Sequence, residues 1–145
     1  MTSVVLADDH PLVLHGLSAM VALMDDMALV GTATTGAEVV DVCGQEEPDL
    51  VLMDLRMPEL DGIAAIRAIL ARSQRTRILV LSMQGDDESL FGALRAGAHG
   101  YVLKGADHDE VSRALRAVAA GGASFGSGVS ARVLRHFGAD APAPP

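Results

Sequence analysis

Residues 50–62 read LVLMDLRMPELDG, an apolar run that ends at Asp54 and leads into a turn. The four residues Leu50–Met53 include no polar side chain, which is typical of a strand covered by helices on both faces. Pro58 and Gly62 are residue types that fix the backbone of a tight loop. The stretch therefore predicts a buried parallel strand with a carboxylate at its end, followed by a short, well-defined loop.

Similar apolar runs alternate with segments of helical period on both sides of this stretch. That alternation is the pattern of repeated strand-helix-strand units around a parallel sheet. Five strands are predicted, at Val4–Ala7, Ala28–Ala33, Leu50–Met53, Ile78–Leu81 and Tyr101–Leu103. An α/β fold with five helices between and after these strands is expected.

Capping residues mark where several of the helices begin. Thr35 and Glu38 have the spacing of a capping box, and Asp61 and Asp107 each precede an apolar stripe of helical period. The fourth helix has the weakest stripe and stops at Gly97, so it is expected to be the least firmly anchored.

A change of composition divides the chain after its fifth helix. Residues 1–122 are predicted to form one domain, which ends at the pair Gly121-Gly122. Residues 123–145 are predicted to be a linker, in which Val129–Phe137 could form a short helix before a Pro/Ala tail.

Composition and charge narrow the functional classes. The chain has 145 residues, 50% of them hydrophobic, and 11 Lys+Arg against 19 Asp+Glu give a formal charge of −8. This balance does not favour direct binding of nucleic acid by the segment itself. Neither a signal peptide nor an apolar run of roughly 18 residues is present, so a cytoplasmic protein without a membrane partner is expected. The single cysteine, Cys43, is assigned no role.

Polar, reactive residues follow four of the five apolar runs. Asp8 and Asp9 come after the first run, Asp54 after the third, Ser82 after the fourth and Lys104 after the fifth. The carboxyl ends of parallel strands face one crevice, so these side chains are expected to meet there. Three neighbouring carboxylates repel one another and stay ionised only with a compensating cation. A hard, oxygen-seeking ion such as Mg²⁺ fits this group best.

Each of these residues also has a plainer interpretation. Asp8 and Asp9 could be a solvated helix cap, Ser82 a turn residue and Lys104 a surface charge. With a metal in place, Asp54 can instead act as a carboxylate nucleophile toward phosphorus. Lys104 and Ser82 would then hold phosphoryl oxygens.

The segment Asp54–Gly62 closely resembles the phosphorylation loop of the receiver domains of bacterial two-component response regulators. Gly100–Lys104 resembles their fifth strand, and the similarity extends over about residues 3 to 122. The resemblance implies a flavodoxin-like, CheY-like, doubly wound five-stranded parallel sheet of order 2-1-3-4-5 with five flanking helices. Ala119–Gly122 and Val129–Phe137 resemble the receiver-to-effector connection of the NarL/FixJ (LuxR-type) subgroup.

The same resemblance implies a role for each residue of the predicted site. Asp54 would be the phosphoacceptor, and Asp9 and Asp54 would bind Mg²⁺ directly together with the backbone carbonyl of Arg56. Asp8 would contribute through a water molecule, and Lys104 would hold the phosphoryl group.

Further residues are implied to switch or to modulate the site. The Ser82 hydroxyl would move toward the phosphoryl group, and Tyr101 would rotate into the space that it leaves; a half-buried sheet aromatic is the plainer interpretation of Tyr101. Met83, Gln84 and Arg56 stand where side chains would modulate the rate of phosphorylation or hydrolysis.

The implied function is a switch rather than a turnover enzyme, limited to self-catalysed phosphoryl acceptance and slow autodephosphorylation. The expected partners are a cognate sensor histidine kinase and, through the first and fifth helices, a second copy of the chain. DNA would be contacted only through an effector domain missing from this chain, as expected for a shortened regulator or a stand-alone receiver.

Three alternatives remain open at this point. A Mg²⁺-dependent aspartyl-phosphate phosphatase would use similar groups, but its usual Asp-x-Asp-x-Thr motif is replaced here by Asp8-Asp9-His10-Pro11. A flavin-binding module would place a phosphate where the two aspartates repel it. An interaction module of the same fold could act without phosphorylation.

The five histidines lack the spacing of a zinc site and are interpreted as surface or capping residues.

Overall fold

A computed structural model describes residues 1–83 and 85–140, with the side chains of residues 137–140 excepted. Gln84 and the last five residues lie outside the described part, and so does the predicted modulating role of Gln84. The described residues form six strands and six helices in strict alternation: β1 Thr2–Ala7, α1 Pro11–Ala22, β2 Met27–Ala33, α2 Gly36–Glu46, β3 Leu50–Met53, α3 Gly62–Arg72, β4 Arg77–Ser82, α4 Asp87–Ala96, β5 Gly100–Leu103, α5 His108–Ala119, β6 Ser124–Phe125 and α6 Ser130–Asp140.

The strands form one parallel sheet in the order β2-β1-β3-β4-β5-β6. The predicted order 2-1-3-4-5 is confirmed, and each of the five predicted strands lies within two residues of its observed bounds. The sequence pattern did not predict β6. This two-residue strand extends the sheet beyond β5, pairing Ser124 with Gly100 and Phe125 with Tyr101.

The continuous apolar runs are explained by two cores, one on each side of the sheet. Alternate strand residues such as Val4 and Leu6 pack with α1 and α5, whereas Val5 and Ala7 pack with α2, α3, α4 and α6. Because side chains of a strand alternate between faces, a strand covered on both sides needs apolar residues at every position. Cys43 lies in the second of these cores, where burial raises the pKa of its thiol to about 12.

The predicted capping residues begin their helices as expected. Thr35 Oγ1 accepts the amide of Glu38 at 3.0 Å, Asp61 accepts at 2.9 Å and Asp107 at 2.8 Å, in each case from the amide three residues later. Gly97 ends α4 with a φ of 115°, a conformation that glycine adopts without strain.

The C-terminal segment is part of the packed structure. A helix, α6, occupies the region in which a short helix was predicted, and Val129 and Val133 are buried in the same core as Tyr101. The predicted division of the chain at residue 122 stays a prediction.

Across residues 1–83 and 85–140, no helix is both long enough and apolar enough to cross a bilayer.

Candidate functional site

Backbone hydrogen bonds bring the predicted site residues to one edge of the sheet. The amide of Asp8 donates to Ala33 at the end of β2, and the amide of Asp54 donates to Ala7 at the end of β1, each at 3.0 Å. The amide of Lys104 donates to the carbonyl of Ser82 at 2.9 Å. The parallel pairing thus continues one residue past each strand, which aligns these residues side by side.

A cluster of carboxylates occupies this edge. Ligand atoms of Asp8, Asp9, His10 and Asp54 all lie within 4.8 Å of one another. Asp8 and Asp54 are buried, whereas Asp9 and His10 are exposed. The N-cap of α1 is His10, so the helix-cap interpretation of the two aspartates is wrong.

Lys104 lies inside this cluster and is not the surface charge of the plainer interpretation. Its Nζ is 2.8 Å from Asp8 Oδ2 and 2.9 Å from Asp54 Oδ2, and its side chain is only 7% exposed. Burial lowers the pKa of Lys104, but hydrogen bonds and charge from Asp8 and Asp54 outweigh that effect, so its pKa lies above the ordinary value. The lysine therefore carries a positive charge at neutral pH.

The donor set of the cluster fits a hard divalent cation. Three carboxylates and one lysine meet here in the described part of the chain, which leaves an excess of negative charge. Carboxylate oxygens are the ligands that Mg²⁺ and similar ions prefer, and Asp9 leaves one side of the cluster open to solvent. The pocket could therefore bind a metal ion.

His10 belongs to this site, and the sequence analysis missed it. Its Nδ1 lies 3.0 Å from both Asp8 Oδ1 and Asp9 Oδ1 and 3.4 Å from Lys104 Nζ. Its side chain is 60% exposed, so the interpretation as a surface residue was incomplete rather than wrong. The signal that could have found it is its position directly after the two aspartates at the end of a strand.

The loop after Asp54 is held close to the neighbouring backbone, as Pro58 and Gly62 predicted. The amide of Gly62 donates to Leu55 at 2.9 Å, and a Cβ at Gly62 would lie 2.5 Å from Leu55 Cα. The amide of Gly36 donates to Pro58 at 3.1 Å, and a Cβ there would collide with the carbonyl of Leu60. Only glycine fits at these two contacts.

Arg56 and Met83 flank the cluster. The amide of Arg56 donates to Asp54 Oδ1 at 3.3 Å, and its side chain is exposed. Met83 follows β4 and is 73% exposed. The carbonyl ligand role of Arg56 and the modulating roles of both residues stay predictions.

Ser82 and Tyr101 form a buried pair beside the cluster. Both residues have no exposed surface, and their hydroxyls are hydrogen-bond partners. Burial raises the pKa of Tyr101, and the bond from Ser82 opposes that change. The half-buried interpretation of Tyr101 is wrong, because its ring already lies in the interior. The switching roles of the two residues stay predictions.

Comparison with known proteins identifies the family of this arrangement. The family model described as "Response regulator receiver domain" matches residues 4–116. An uncharacterized transcriptional regulatory protein of Bacillus subtilis, YhcZ, is 41% identical over 134 residues, which are 92% of this chain and 62% of that protein.

Solved structures agree in both fold and sequence. A LuxR-family two-component response regulator from Aurantimonas superposes with a TM-score of 0.88 at 30% identity, covering 94% of this chain and 98% of that one. RcsB of Salmonella enterica, solved on promoter DNA with a phosphomimetic, has a TM-score of 0.84 at 27% identity, covering 99% of this chain and 72% of that one. RcsB is also described as two dimers bound to two parallel DNAs.

The chain matches only part of the length of its relatives. The chain spans between 59% and 62% of the length of the first curated relatives that it matches. The family model alone covers well over half of the chain, and it includes Asp8, Asp54 and Lys104. The chain therefore belongs to the response regulator receiver domain family, and its relatives include transcriptional regulators of the NarL and LuxR type.

Proposed function

We propose that this receiver domain accepts a phosphoryl group on Asp54 from a cognate sensor histidine kinase and thereby controls a transcriptional output. One observation carries the proposal: a buried carboxylate, Asp54, lies 2.9 Å from the amine of Lys104 at the edge of the sheet where Asp8 and Asp9 gather. Burying charged side chains costs free energy. A site that nevertheless gathers several of them is a candidate for a chemical role, which supports the proposal.

The acidic cluster is the proposed Mg²⁺ site. Asp9 and Asp54 would hold the ion directly with the carbonyl of Arg56, and Asp8 would hold it through water. Mg²⁺ bound there would neutralise the negative charge that builds up as a phosphoryl group approaches a carboxylate. The excess of carboxylates over cations in the cluster supports this assignment.

The chain's own residues account for the transfer. A carboxylate oxygen of Asp54 attacks phosphorus, an O–P bond forms, and the P–N bond to the kinase histidine breaks with its electron pair left on nitrogen. Lys104, which stays charged at neutral pH, is positioned to hold one phosphoryl oxygen, and the Ser82 hydroxyl is proposed to donate to another. The catalytic power required of the protein is mostly alignment and charge neutralisation.

The switch would begin at the pair of buried hydroxyls. A phosphoryl group adds about −1.5 to −2 of charge and strong acceptor oxygens. If Ser82 turns to donate to one of them, it gives up its bond with Tyr101. The change is thereby passed from the sheet edge to the α4–β5 side of the molecule.

Self-association through α1 and α5 is the proposed partner interaction. Leu12 in the first turn of α1 and Leu23, the residue that follows its last turn, are 87% and 86% exposed. A cavity of about 260 Å³ beside Leu12 lies between α1 and α5, where Leu17 and Val111 line it together with Lys104 and His108. DNA is proposed to be contacted only through an effector domain of the whole protein.

Intact-mass spectrometry tests the proposed function. After incubation with Mg²⁺ and acetyl phosphate, the wild-type chain should gain one acid-labile phosphoryl group, and Asp54→Ala should gain none. Asp41→Ala, which removes an exposed carboxylate of α2, is the matched control and should be labelled like the wild type. Label that persists in Asp54→Ala would reassign the acceptor, and steady turnover of a small phosphate ester would favour the phosphatase alternative.

A further inference from the structure

We propose that His10 is a further protein ligand of the metal site, and that it makes the site bind first-row transition-metal ions such as Ni²⁺ in preference to Mg²⁺. The inference rests on the proposed function, because it concerns the same metal site. It assigns a role to a side chain that takes no part in the proposed phosphoryl transfer.

The backbone directs the imidazole of His10 toward the carboxylates. Pro11 restricts the residue before it to an extended conformation, which His10 adopts with φ −96° and ψ 109°. The amide of His10 donates to Asp8 Oδ1 at 2.8 Å, which fixes the turn out of β1. His10 occupies the N-cap of α1, but its ring makes no capping hydrogen bond to this helix, all of which the structure describes. The ring nitrogen Nδ1 faces Asp8 and Asp9 instead.

The distances around this ring nitrogen are those of neighbouring ligands on one ion. Nδ1 of His10 lies 3.0 Å from Asp8 Oδ1 and 3.0 Å from Asp9 Oδ1. Metal-ligand bonds of about 2.1 Å at right angles, as in an octahedral complex, place neighbouring ligand atoms about 3.0 Å apart. With Asp54 included, the four candidate ligand atoms lie within 4.8 Å of one another. They are therefore close enough to share one ion.

A cation would use this arrangement more fully than a single proton does. Nδ1 carries at most one hydrogen, which it can donate well to one of the two carboxylate oxygens but not to both. The three carboxylates also outnumber the ammonium of Lys104, which lies 3.4 Å from Nδ1. The side chains of His10 and Asp9 are 60% and 34% exposed, so an ion from solvent can reach this side of the cluster.

The nitrogen donor determines which ion gains from His10. Mg²⁺ prefers oxygen ligands and gives up its water molecules reluctantly, so we expect it to keep a water molecule beside the ring. Imidazole suits Ni²⁺, Zn²⁺ and similar ions, and affinity rises from Mn²⁺ to Ni²⁺ along the first-row series. His10 should therefore increase the affinity for these ions and leave that for Mg²⁺ nearly unchanged.

Calorimetric titrations of the untagged full chain with Ni²⁺ and, separately, with Mg²⁺ test the assignment. His10→Ala should lower the Ni²⁺ affinity by about tenfold or more and change the Mg²⁺ affinity by less than about twofold. His15→Ala is the matched control, because it removes an exposed imidazole in the second turn of α1. It should bind both ions as the wild type does.

The outcomes separate this proposal from the proposed function. If Mg²⁺ binds the wild type and His10→Ala keeps its Ni²⁺ affinity, the ligand assignment is overturned and the proposed function stands. Equal losses for the two ions would also overturn it, because they would show that His10 only positions the carboxylates. If neither ion binds the wild type, both proposals are overturned.

Pulsed electron paramagnetic resonance identifies the ligand independently of affinity. Cu²⁺ is the probe, added below one equivalent, because it is paramagnetic and binds most tightly in the series. The nitrogen coupling of a directly bound imidazole should be present in the wild type and in His15→Ala and absent from His10→Ala. A nitrogen coupling that is the same in His10→Ala as in the wild type would overturn the assignment.

Discussion

Two groups of paired charges lie in this molecule, and their surroundings differ. At the carboxyl edge of the sheet, Lys104 bridges Asp8 and Asp54, and all three side chains are at most 7% exposed. On the α4 side, Arg132 pairs with Asp87, and these side chains are 24% and 71% exposed. The pairs are similarly short, so the distances alone do not distinguish them.

The difference in burial predicts different uses. Buried charges are held by their partners because water is not available to replace them, so their geometry is fixed and removing one is costly. An exposed pair exchanges its partner for water at little cost. The first group is suited to align reacting atoms, whereas the second is a surface contact that water can replace.

The largest difference between the two groups is expected when the positively charged side chain of each is replaced. Lys104→Met leaves two buried carboxylates without the positive charge of the lysine. In a buffer that contains a metal chelator, we expect it to lower the free energy of unfolding by roughly 3 kcal/mol. Arg132→Met should cost less than about 1 kcal/mol. Denaturant titration measures both. Equal losses would show that burial does not distinguish the two groups. Recovery of the stability of Lys104→Met on addition of Mg²⁺ would show that a bound metal ion can replace the charge of the amine.

Glycine replacements test whether the sheet edge is as tightly built as its charges suggest. Gly36→Ala should lower the free energy of unfolding by roughly 2 kcal/mol, because its Cβ would collide with the Leu60 carbonyl in the loop after Asp54. Gly16→Ala, in the interior of α1, meets no atom within 4 Å and should stabilise the chain by about 0.5 to 1 kcal/mol. Thermal or denaturant unfolding measures the pair. Similar effects at both positions would contradict the tight loop.

Lys104 is the only lysine of the chain, so the reactivity of its side-chain amine can be followed individually. Asp8→Asn removes a partner that raises the pKa of Lys104, so its amine should become less protonated and freer to react. We expect acylation by an amine-specific reagent to accelerate, because only the neutral amine reacts. Peptide mass spectrometry follows it, with the α-amine of Met1 as the reference in the same molecule. An unchanged ratio of the two rates would mean that Asp8 does not control this amine.

The smallest expected effect lies at the opposite end of the sheet. His99 accepts the amide of Ile78 at 3.0 Å, and burial, with a smaller contribution from Arg77, lowers its pKa. The unfolded chain therefore binds this proton first, so the free energy of unfolding should fall as the pH drops below about 6.5 toward the folded-state pKa. Urea titrations at several pH values measure this dependence. In His99→Gln, the free energy of unfolding should change less steeply with pH over that window. An identical pH dependence in the variant and the wild type would exclude His99 as the source of the loss of stability.

Much of this fold follows from short-range patterns. The strands could be predicted because both cores require apolar residues at consecutive positions, and the helices because Thr35, Asp61 and Asp107 are good caps. The short strand β6 could not, because Ser124 and Phe125 form a strand only by pairing with an edge that is far away in sequence. A two-residue strand has no period of its own to detect.

The candidate site divides in the same way. The convergence of Asp8, Asp9, Asp54 and Lys104 follows from the parallel topology, since each comes directly after a strand or one residue later. The position of His10 directly after the two aspartates was a local signal for its place in the site, but its contacts with both carboxylates depend on how the chain turns from β1 into α1. The packing of α6 on α4 depends likewise on tertiary contacts. The weak stripe of α4 made it appear poorly anchored, and α6 provides part of the missing support.

Localising the phosphoryl group within the chain tests whether Asp54 is the phosphoacceptor. An acyl phosphate is reduced by borohydride to an alcohol, so treatment after incubation with Mg²⁺ and acetyl phosphate should convert Asp54 to homoserine. Tandem mass spectrometry of the peptide that contains residues 50–62 reads the position of that change. We predict conversion at Asp54 alone, and only when Mg²⁺ is present. Conversion at Asp61 instead, or equal conversion without the metal, would be incompatible with a Mg²⁺-dependent acceptor at Asp54.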